Sequence, residues 1–403
     1  MSNSFSAPGD PRTLHARSAI HRMAASPIRD LADVAMGRDD VLPFWFGESD
    51  QPTAPFIRQA AIEALNQGQT FYTQNPGRGY LRQAVSAYLG RLHGVPIPEA
   101  RISVCASGVT GLMLAAQLLL DPGDRVVAVT PLWPNLIEIP AILSAHVTRV
   151  PLVVREQRWS LDIERLLDAL TPDTRMLMVN SPNNPTGWVI SDEDIQVLLA
   201  HCRRHGIWIL CDDVYQRLLY DVRRPVAPSF LAHQAPDDRV VSVNSFSKAW
   251  SMTGWRVGWM VTPPELQADL AKLIEFNYAS VFEAVQRAAW VALEQGEAEV
   301  AQLRQRLAHT RAVLVEALSA LPQVDVPAAD GAMYVFFRVA GHEDSMALAH
   351  GLVDKVGLGL APGRAFGPES AAWLRWCHAT TPERLLDGVA RLARYLDAPQ
   401  GRG

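Results

Sequence analysis

Short apolar runs alternate along much of the chain with longer stretches of helical periodicity. These runs are ISVCA (102–106), RVVAVT (125–130), MLMVN (176–180), IWILC (207–211) and VVSVN (240–244). Strands that are apolar on both faces are typical of a sheet covered by helices on both sides. The pattern predicts an α/β fold, a three-layer sandwich with a mostly parallel central sheet.

Two helices are predicted between these strands with particular clarity. One covers GLMLAAQLLL (111–120), and the other runs from Ser191, which acidic residues follow, to the basic residues that precede Gly206. A serine at the start, acids in the first turn and bases in the last turn all suit the helix dipole.

The pattern of predicted helices and strands changes after about residue 290. A long amphipathic helix is predicted over 296–321, and alternating strands follow at 332–339 and 373–379. We therefore expect three parts: an N-terminal arm that belongs partly to the small domain (1–48), a large domain (49–289) and a small C-terminal α+β domain (290–403).

Composition excludes several classes of partner. The chain has 37 basic and 42 acidic residues, a net charge of -5, so no broad positive field exists to attract nucleic acid or acidic lipid. Its longest apolar run, 111–120, is half of the roughly 20 residues that a membrane span needs. Its cysteines are scattered, and we expect reduced, buried thiols. These features predict a cytoplasmic protein.

Lysine is rare in this sequence, which narrows the choice of a reactive amine. Only Lys248, Lys272 and Lys355 are lysines, against 34 arginines. Lys272 and Lys355 lie in helical patterns with solvated faces. Lys248 instead follows the strand 240–244, among hydroxyls and aromatic rings, where partial desolvation would lower its pKa and favour a nucleophilic amine.

Other polar residues also follow predicted strands, at the edge where an open parallel sheet carries its crevice. Asp212 follows the strand 207–211 and is either a helix N-cap or the partner of a cation such as a protonated ring nitrogen. Asn184 lies in a turn constrained by two prolines. The segment 107–111 is either a phosphate site at a helix start or a plain turn.

Three motifs in this order resemble one known family. NSPNNPTG (180–187), DDVY (212–215) and SFSK followed by MTGWR (245–256) are similar to the class I/II aminotransferases of the aspartate aminotransferase superfamily, fold type I enzymes that use pyridoxal 5'-phosphate. The resemblance extends from Gly47 to Arg375. It implies that 49–289 is the pyridoxal-phosphate-binding domain.

The resemblance implies a role for each matching residue. The catalytic residues would be the Schiff-base lysine Lys248, Asp212 at the pyridine nitrogen, and Tyr215, which with Asn184 binds the phenolic oxygen. The phosphate would be bound by the turn Ser107, Gly108 and Val109 together with Ser245, Ser247 and Arg256. The cofactor ring would stack on Trp133. Tyr72 would reach the phosphate of a neighbouring subunit. The substrate-binding residues would be Gly47, Trp133, Asn184 and Arg375, with Arg375 on the α-carboxylate.

The expected function is transfer of the amino group of an L-amino acid to a 2-oxo acid by a ping-pong mechanism, in a homodimer without a metal. A neutral, hydrophobic or aromatic donor is favoured because the predicted loop 276–282, Trp45 and Phe46 offer aromatic rings rather than a second arginine. The alternatives are a C–S lyase or cyclase on the same fold, and a non-catalytic regulator that binds pyridoxal phosphate. His201 and His205 lie near the C-terminal end of a predicted helix, and we expect them to interact favourably with the negative end of the helix dipole rather than to bind a metal.

Overall fold

The computed structural model describes residues 16–398. The α-helices are α1 Ser18–His21, α2 Pro27–Val34, α3 Pro55–Asn66, α4 Gly79–His93, α5 Gly108–Leu119, α6 Pro134–Ile142, α7 Ile163–Ala169, α8 Asp192–His205, α9 Phe246–Ala249, α10 Gln267–Tyr278, α11 Glu283–Gln295, α12 Glu297–Ser319, α13 Ser345–Val356 and α14 Pro382–Asp397. The strands are β1 Leu42–Pro43, β2 Ile102–Cys105, β3 Arg125–Thr130, β4 His146–Pro151, β5 Val153–Arg155, β6 Arg158–Ser160, β7 Thr174–Asn180, β8 Trp208–Asp212, β9 Val240–Ser245, β10 Gly258–Val261, β11 Val324–Asp325, β12 Tyr334–Val339, β13 Leu358–Gly359, β14 Ala361–Pro362 and β15 Trp373–Cys377.

A seven-stranded sheet forms the centre of the molecule, with the strand order β2-β10-β9-β8-β7-β3-β4. All neighbours pair in parallel except β10, which is antiparallel to both β9 and β2. Every residue of β9 is buried, as are nearly all of β7 and β8. The α/β fold and its mostly parallel sheet are confirmed. The sequence analysis did not predict β4 or β10.

The topology brings several strand ends to one edge of this sheet. Because β10 reverses direction between β9 and β2, β2 runs the same way as β3, β7, β8 and β9. The carboxyl ends of all five strands therefore lie at the same edge, and the loops that follow them meet there.

Helix α8 shows how local sequence sets an element's ends. Ser191 caps it by accepting a hydrogen bond from the amide of Asp194, and Gly206 ends it in the left-handed conformation. The basic residues Arg203, Arg204 and His205 occupy its last turn, where they face the negative end of the helix dipole. Both predicted ends are observed.

A second sheet is built from C-terminal residues, with the order β11-β12-β15-β14 and antiparallel pairing throughout. Near the N-terminus, β1 pairs in parallel with β13, which ties residues 42–43 to the C-terminal part. The domain boundaries at residues 48 and 290 stay a prediction, and the first fifteen residues of the predicted arm lie outside the described residues. Within 16–398, no helix is long and apolar enough to cross a membrane.

Candidate active site

A cavity opens at the carboxyl edge of the seven-stranded sheet. The space between its lining atoms is about 720 Å³, part of which is open solvent. The predicted site residues that line it are Gly47, Gly108, Val109, Trp133, Asn184, Asp212, Tyr215, Ser245, Ser247, Lys248 and Arg256. The lining residues that the sequence analysis did not select are Leu112, Asn180, Val214, Thr253 and Tyr334.

Lys248 lies on the short helix α9, directly after β9. Its ammonium nitrogen Nζ donates a hydrogen bond to the carbonyl oxygen of Gly47 at 2.5 Å. Burial lowers the pKa of Lys248 from its ordinary value to about 8. A useful fraction of this amine is therefore neutral, and able to act as a nucleophile or base, near neutral pH.

Asp212 is the last residue of β8 and is almost fully buried. Its carboxylate accepts a hydrogen bond from the backbone amide of Val214 at 3.3 Å, and no basic side chain within 16–398 forms an ion pair with it. Burial raises the pKa of Asp212 to about 7. A cation placed in the cavity against this carboxylate would favour its charged form.

The start of α5 borders the cavity between β2 and β9. Ser107 caps the helix by accepting a hydrogen bond from the amide of Thr110 at 3.1 Å. The amides of Gly108 and Val109 belong to the first turn and have no acceptor within the helix. A Cβ atom at Gly108 would lie 3.2 Å from Val214 and 3.3 Å from Ser245, so glycine permits this close approach. The geometry is that of an anion site at a helix start.

Hydroxyls and a guanidinium group surround the same helix start. The hydroxyl of Ser245 donates to that of Ser247 at 2.9 Å. Arg256 is exposed, lines the cavity and donates to the carbonyl oxygen of Thr253 at 2.7 Å. Its remaining donors are available to an anion.

Arg375 lies on β15 of the second sheet and is 1% exposed, and it contacts the lining residue Asn184 without lining the cavity itself. Its guanidinium donates to the side-chain oxygen of Asn184 at 2.9 Å and to the carbonyl oxygen of Trp45. Its Nε is buried without a hydrogen-bond partner. An arginine held in this way, with one donor unused, is suited to bind a carboxylate.

Asn180 ties the ends of β7 and β8 together. Its side-chain nitrogen donates to the backbone carbonyl oxygen of Asp212 at 3.0 Å, and its side-chain oxygen accepts from the backbone amide of Asn184 at 2.8 Å. Asn180 is the first residue of the NSPNNPTG motif, so its position in that motif was a usable signal.

Tyr334, the first residue of β12, is the other functional neighbour that the sequence analysis missed. Its hydroxyl shares a hydrogen bond of 2.6 Å with the hydroxyl of Tyr215, and the two rings meet edge to face. In the sequence it lies within the apolar run 332–337, which looks like core, so nothing local distinguishes it from Phe336.

Several predicted residues do not line the cavity. Ser107 precedes the lining residue Gly108 and Arg375 bonds to the lining residue Asn184, whereas three further groups lie away from the cavity. Tyr72 is 87% exposed and does not line it within a single chain. The predicted loop 276–282 was wrong in its first half, because α10 continues to Tyr278 and ends only where Ala279 adopts a positive φ. Trp45 and Phe46 line a neighbouring depression with Glu48 and Cys377.

The polar groups around the cavity fit the charged parts of pyridoxal phosphate. Asp212, a buried carboxylate without a cation, suits the protonated ring nitrogen. The helix start and Arg256 suit the phosphate, and the amine of Lys248 suits the aldehyde. The donor set therefore matches this cofactor in all three places.

Comparison with known proteins agrees with this geometry. The model of the family "Aminotransferase class I and II" matches residues 39–392. An aspartate aminotransferase of Pyrococcus horikoshii is 31% identical over 92% of this chain and 95% of its own. The arginine–pyruvate transaminase AruH of Pseudomonas aeruginosa is 33% identical over 91% of this chain and 92% of its own.

A solved structure extends the agreement to the whole fold. A single mutant of the Thermus thermophilus aspartate aminotransferase superposes with a TM-score of 0.88 at 28% identity, covering 95% of this chain and 100% of that one. The chain belongs to the aminotransferase class I and II family and is a fold type I aminotransferase that uses pyridoxal phosphate and acts on small amino and 2-oxo acids.

Proposed function

We propose that this aminotransferase takes the amino group of an L-amino acid with a neutral, hydrophobic or aromatic side chain and passes it to a 2-oxo acid by a ping-pong mechanism. One observation carries the choice of side chain. Within 16–398, the basic residues that line the cavity are Lys248 and Arg256, and Arg375 reaches it through its hydrogen bond to the lining residue Asn184. If these serve the aldehyde, the phosphate and the α-carboxylate, none remains for a second carboxylate.

The rest of the lining supports an apolar side chain. Among the lining residues with no polar contact assigned to the cofactor, Leu112, Val214 and Tyr334 contribute apolar surface to the cavity. Burying an apolar side chain against such surface is favourable by roughly 25 cal/mol per Å², whereas an unpaired second carboxylate would lose its hydration without compensation.

The cofactor, when bound, supplies an electron sink for the pair of electrons that the substrate Cα gains on losing its proton. In the proposal the carboxylate of Asp212 keeps the ring nitrogen protonated, which maintains that sink. The amine of Lys248 removes the proton from the Cα of the amino donor in the first half-reaction and gives a proton to the Cα of the incoming 2-oxo acid in the second. Its lowered pKa suits both directions of this transfer.

Two further tasks fall to groups that hold and orient. Arg256, Ser245, Ser247 and the helix start at Ser107, Gly108 and Val109 bind the phosphate, while Trp133 packs against the ring. Arg375 grips the substrate α-carboxylate beside Asn184 and Gly47, and its planar guanidinium fixes the direction of the Cα–H bond.

The proposal includes a second copy of the chain. Tyr72 and Phe71 are 87% and 81% exposed, and Phe276 is 86% exposed. Thr73 is joined to Ser280 by a hydrogen bond of 3.2 Å, so the two segments are neighbours. Exposed aromatic rings of this kind suit a twofold interface, and Tyr72 would then reach the partner's phosphate.

The test is a panel of amino donors assayed with several 2-oxo acids. We expect phenylalanine or leucine to exceed aspartate in kcat/KM by about tenfold or more, which corresponds to one uncompensated polar group. Arginine is the second comparison, because a cationic donor would lie beside Arg375 and Lys248. Parallel double-reciprocal lines would support the ping-pong order. A preference for aspartate over both apolar donors would overturn the proposed side chain, and sedimentation as a monomer would overturn the second copy.

A further inference from the structure

Tyr334 contacts three separate parts of the active site, although no motif identifies it. It is 1% exposed, and its hydroxyl lies 2.6 Å from that of Tyr215. A Cβ atom at Gly47 would lie 1.8 Å from the Tyr334 oxygen, so only glycine fits there. Through Gly47 the contact continues to Lys248, whose Nζ donates to the Gly47 carbonyl oxygen.

The register of the second sheet sets the contact with Arg375. β12 and β15 are antiparallel, with Tyr334 opposite Cys377 and Phe336 opposite Arg375. Residues 334 and 336 point to the same face of the sheet, so the side chains of Tyr334 and Arg375 are diagonal neighbours. The guanidinium carbon of Arg375 lies 4.4 Å from the centre of the Tyr334 ring, a cation–π contact.

The hydrogen bond between the two hydroxyls has a direction once the cofactor is considered. Each tyrosine has one hydroxyl proton. Burial raises the pKa of Tyr334 to about 12 and that of Tyr215 well above its ordinary value, so both stay protonated at working pH. If Tyr215 gives its proton to the phenolic oxygen of the cofactor, its own oxygen must accept from Tyr334. A donor that itself accepts a hydrogen bond becomes a stronger donor.

We propose that Tyr334 is a positioning residue that acts through two others: its hydroxyl donates to Tyr215 and thereby directs the Tyr215 proton to the cofactor, and its ring fixes the plane of Arg375. This inference rests on the role proposed above for Tyr215. The charged and titratable groups that face the pair are Arg375, Lys248, Asp212 and the thiol of Cys377.

The test compares the holoenzyme with Tyr215→Phe, Tyr334→Phe and the double variant, by titrating the visible absorption of the bound cofactor against pH. A hydrogen bond to the phenolic oxygen favours its charge and lowers the pKa of the proton shared with the Lys248 nitrogen. Tyr215→Phe should raise that pKa by about 1–2 pH units. Tyr334→Phe should raise it by roughly 0.2–0.5. The double variant should match Tyr215→Phe alone.

Tyr220→Phe is the matched control, because its half-buried hydroxyl bonds to His378 at 2.9 Å, meets Tyr334 only at the backbone carbonyl oxygen, at 3.5 Å, and does not line the cavity. Both Tyr220→Phe and Tyr334→Phe should lower the urea midpoint of the cofactor-free protein by similar amounts. Only Tyr334→Phe should weaken binding of pyridoxal phosphate, by about 2–5-fold, measured by quenching of tryptophan fluorescence.

Tyr334→Leu tests the contact with Arg375. Tyr334→Phe keeps the ring and should leave KM for the amino donor near that of the parent, whereas Tyr334→Leu should raise KM several-fold further. Equal KM values for the two variants would overturn this half of the inference. An unchanged pKa in Tyr334→Phe, or an equal rise in the Tyr215→Phe background, would overturn the other half. If Tyr215→Phe itself left the pKa unchanged, the proposed role of Tyr215 would fail instead.

Discussion

Two regions of this enzyme satisfy charged groups that are shielded from solvent in opposite ways. At the cavity, Asp212 and Lys248 are held by backbone hydrogen bonds and have no ionic partner within 16–398. Arg217 follows β8, packs beside the start of α12 and is 2% exposed. All three of its nitrogens are used: Nε donates to the Pro225 carbonyl oxygen, and the others donate to Tyr88 and Glu297.

The charged groups at the cavity serve function, whereas Arg217 and its partners serve stability. The cavity groups have pKa values moved toward neutrality, to about 7 for Asp212 and about 8 for Lys248, because burial disfavours their charges. For Arg217, burial lowers the pKa, but Glu297 and Tyr88 together outweigh burial and the pKa is raised. Unpaired buried charge costs folding free energy unless a ligand supplies the partner, whereas paired buried charge fixes structure. The predictions below test this division.

Lys248→Ala should have the largest effect. It removes the proposed base and the proposed attachment point for the cofactor, so kcat should fall by at least about 10⁴-fold, while the urea midpoint changes little or rises. Amino transfer assayed with the preferred donor measures the first effect. Retention of more than a tenth of the parent kcat would contradict the role of this lysine.

Asp212→Asn should raise the free energy of unfolding of the cofactor-free protein and weaken cofactor binding. The folded pKa of Asp212, about 7, lies above its ordinary value of 3.8, so its stabilising contribution is full at low pH and is lost as pH rises through about 7. At pH 8 the cofactor-free variant should therefore be more stable than the parent by as much as about 4 kcal/mol. The gain should vanish near pH 4.

The same variant should bind pyridoxal phosphate more weakly, because the ring cation loses its partner. Urea midpoints across pH 4–8 and a binding titration measure the two effects. A variant that is less stable than the parent at pH 8, or that binds the cofactor equally well, would show that Asp212 stabilises the fold, as Arg217 does, rather than binding the cofactor.

The sequence predicted the two regions unequally. The central strands and α8 follow directly from apolar runs and caps, and the loops after β7, β8 and β9 carry compact motifs, so most cavity residues were identifiable. Tyr334 was not, because its role arises from the pairing of β12 with β15, a long-range contact that leaves no local pattern. The cluster at Arg217 joins residues 88, 217 and 297, which are distant in sequence. β10 is antiparallel to its neighbours but only four residues long, and so short an apolar run does not indicate the direction of a strand.

Arg217→Met should lower stability without altering chemistry. Glu297 is 65% exposed and can regain water, so the loss is that of the buried hydrogen bonds to Tyr88 and Pro225 and of the attraction to Glu297, about 2–3 kcal/mol. The urea midpoint of the holoenzyme measures this loss. A fall in kcat/KM larger than a few-fold, at a temperature where the variant is folded, would show that the cluster serves the active site.

Lys272→Ala should have the smallest effect and serves as the control for lysine loss. Its side chain is 68% exposed and pairs with Asp269 one helical turn away at 2.7 Å. Such surface pairs contribute about 0–0.5 kcal/mol. Activity and the urea midpoint should both remain at the parent values, and a large loss of either would show that rarity of lysine, not position, selected Lys248.

The most direct test of the account maps where the cofactor attaches. The enzyme is saturated with pyridoxal phosphate, reduced with borohydride, digested and analysed by mass spectrometry. Its three lysines, Lys248, Lys272 and Lys355, give three distinguishable sites. The account predicts one reduced pyridoxal phosphate per chain, on Lys248. Label on Lys272 or Lys355 with Lys248 unmodified would contradict it.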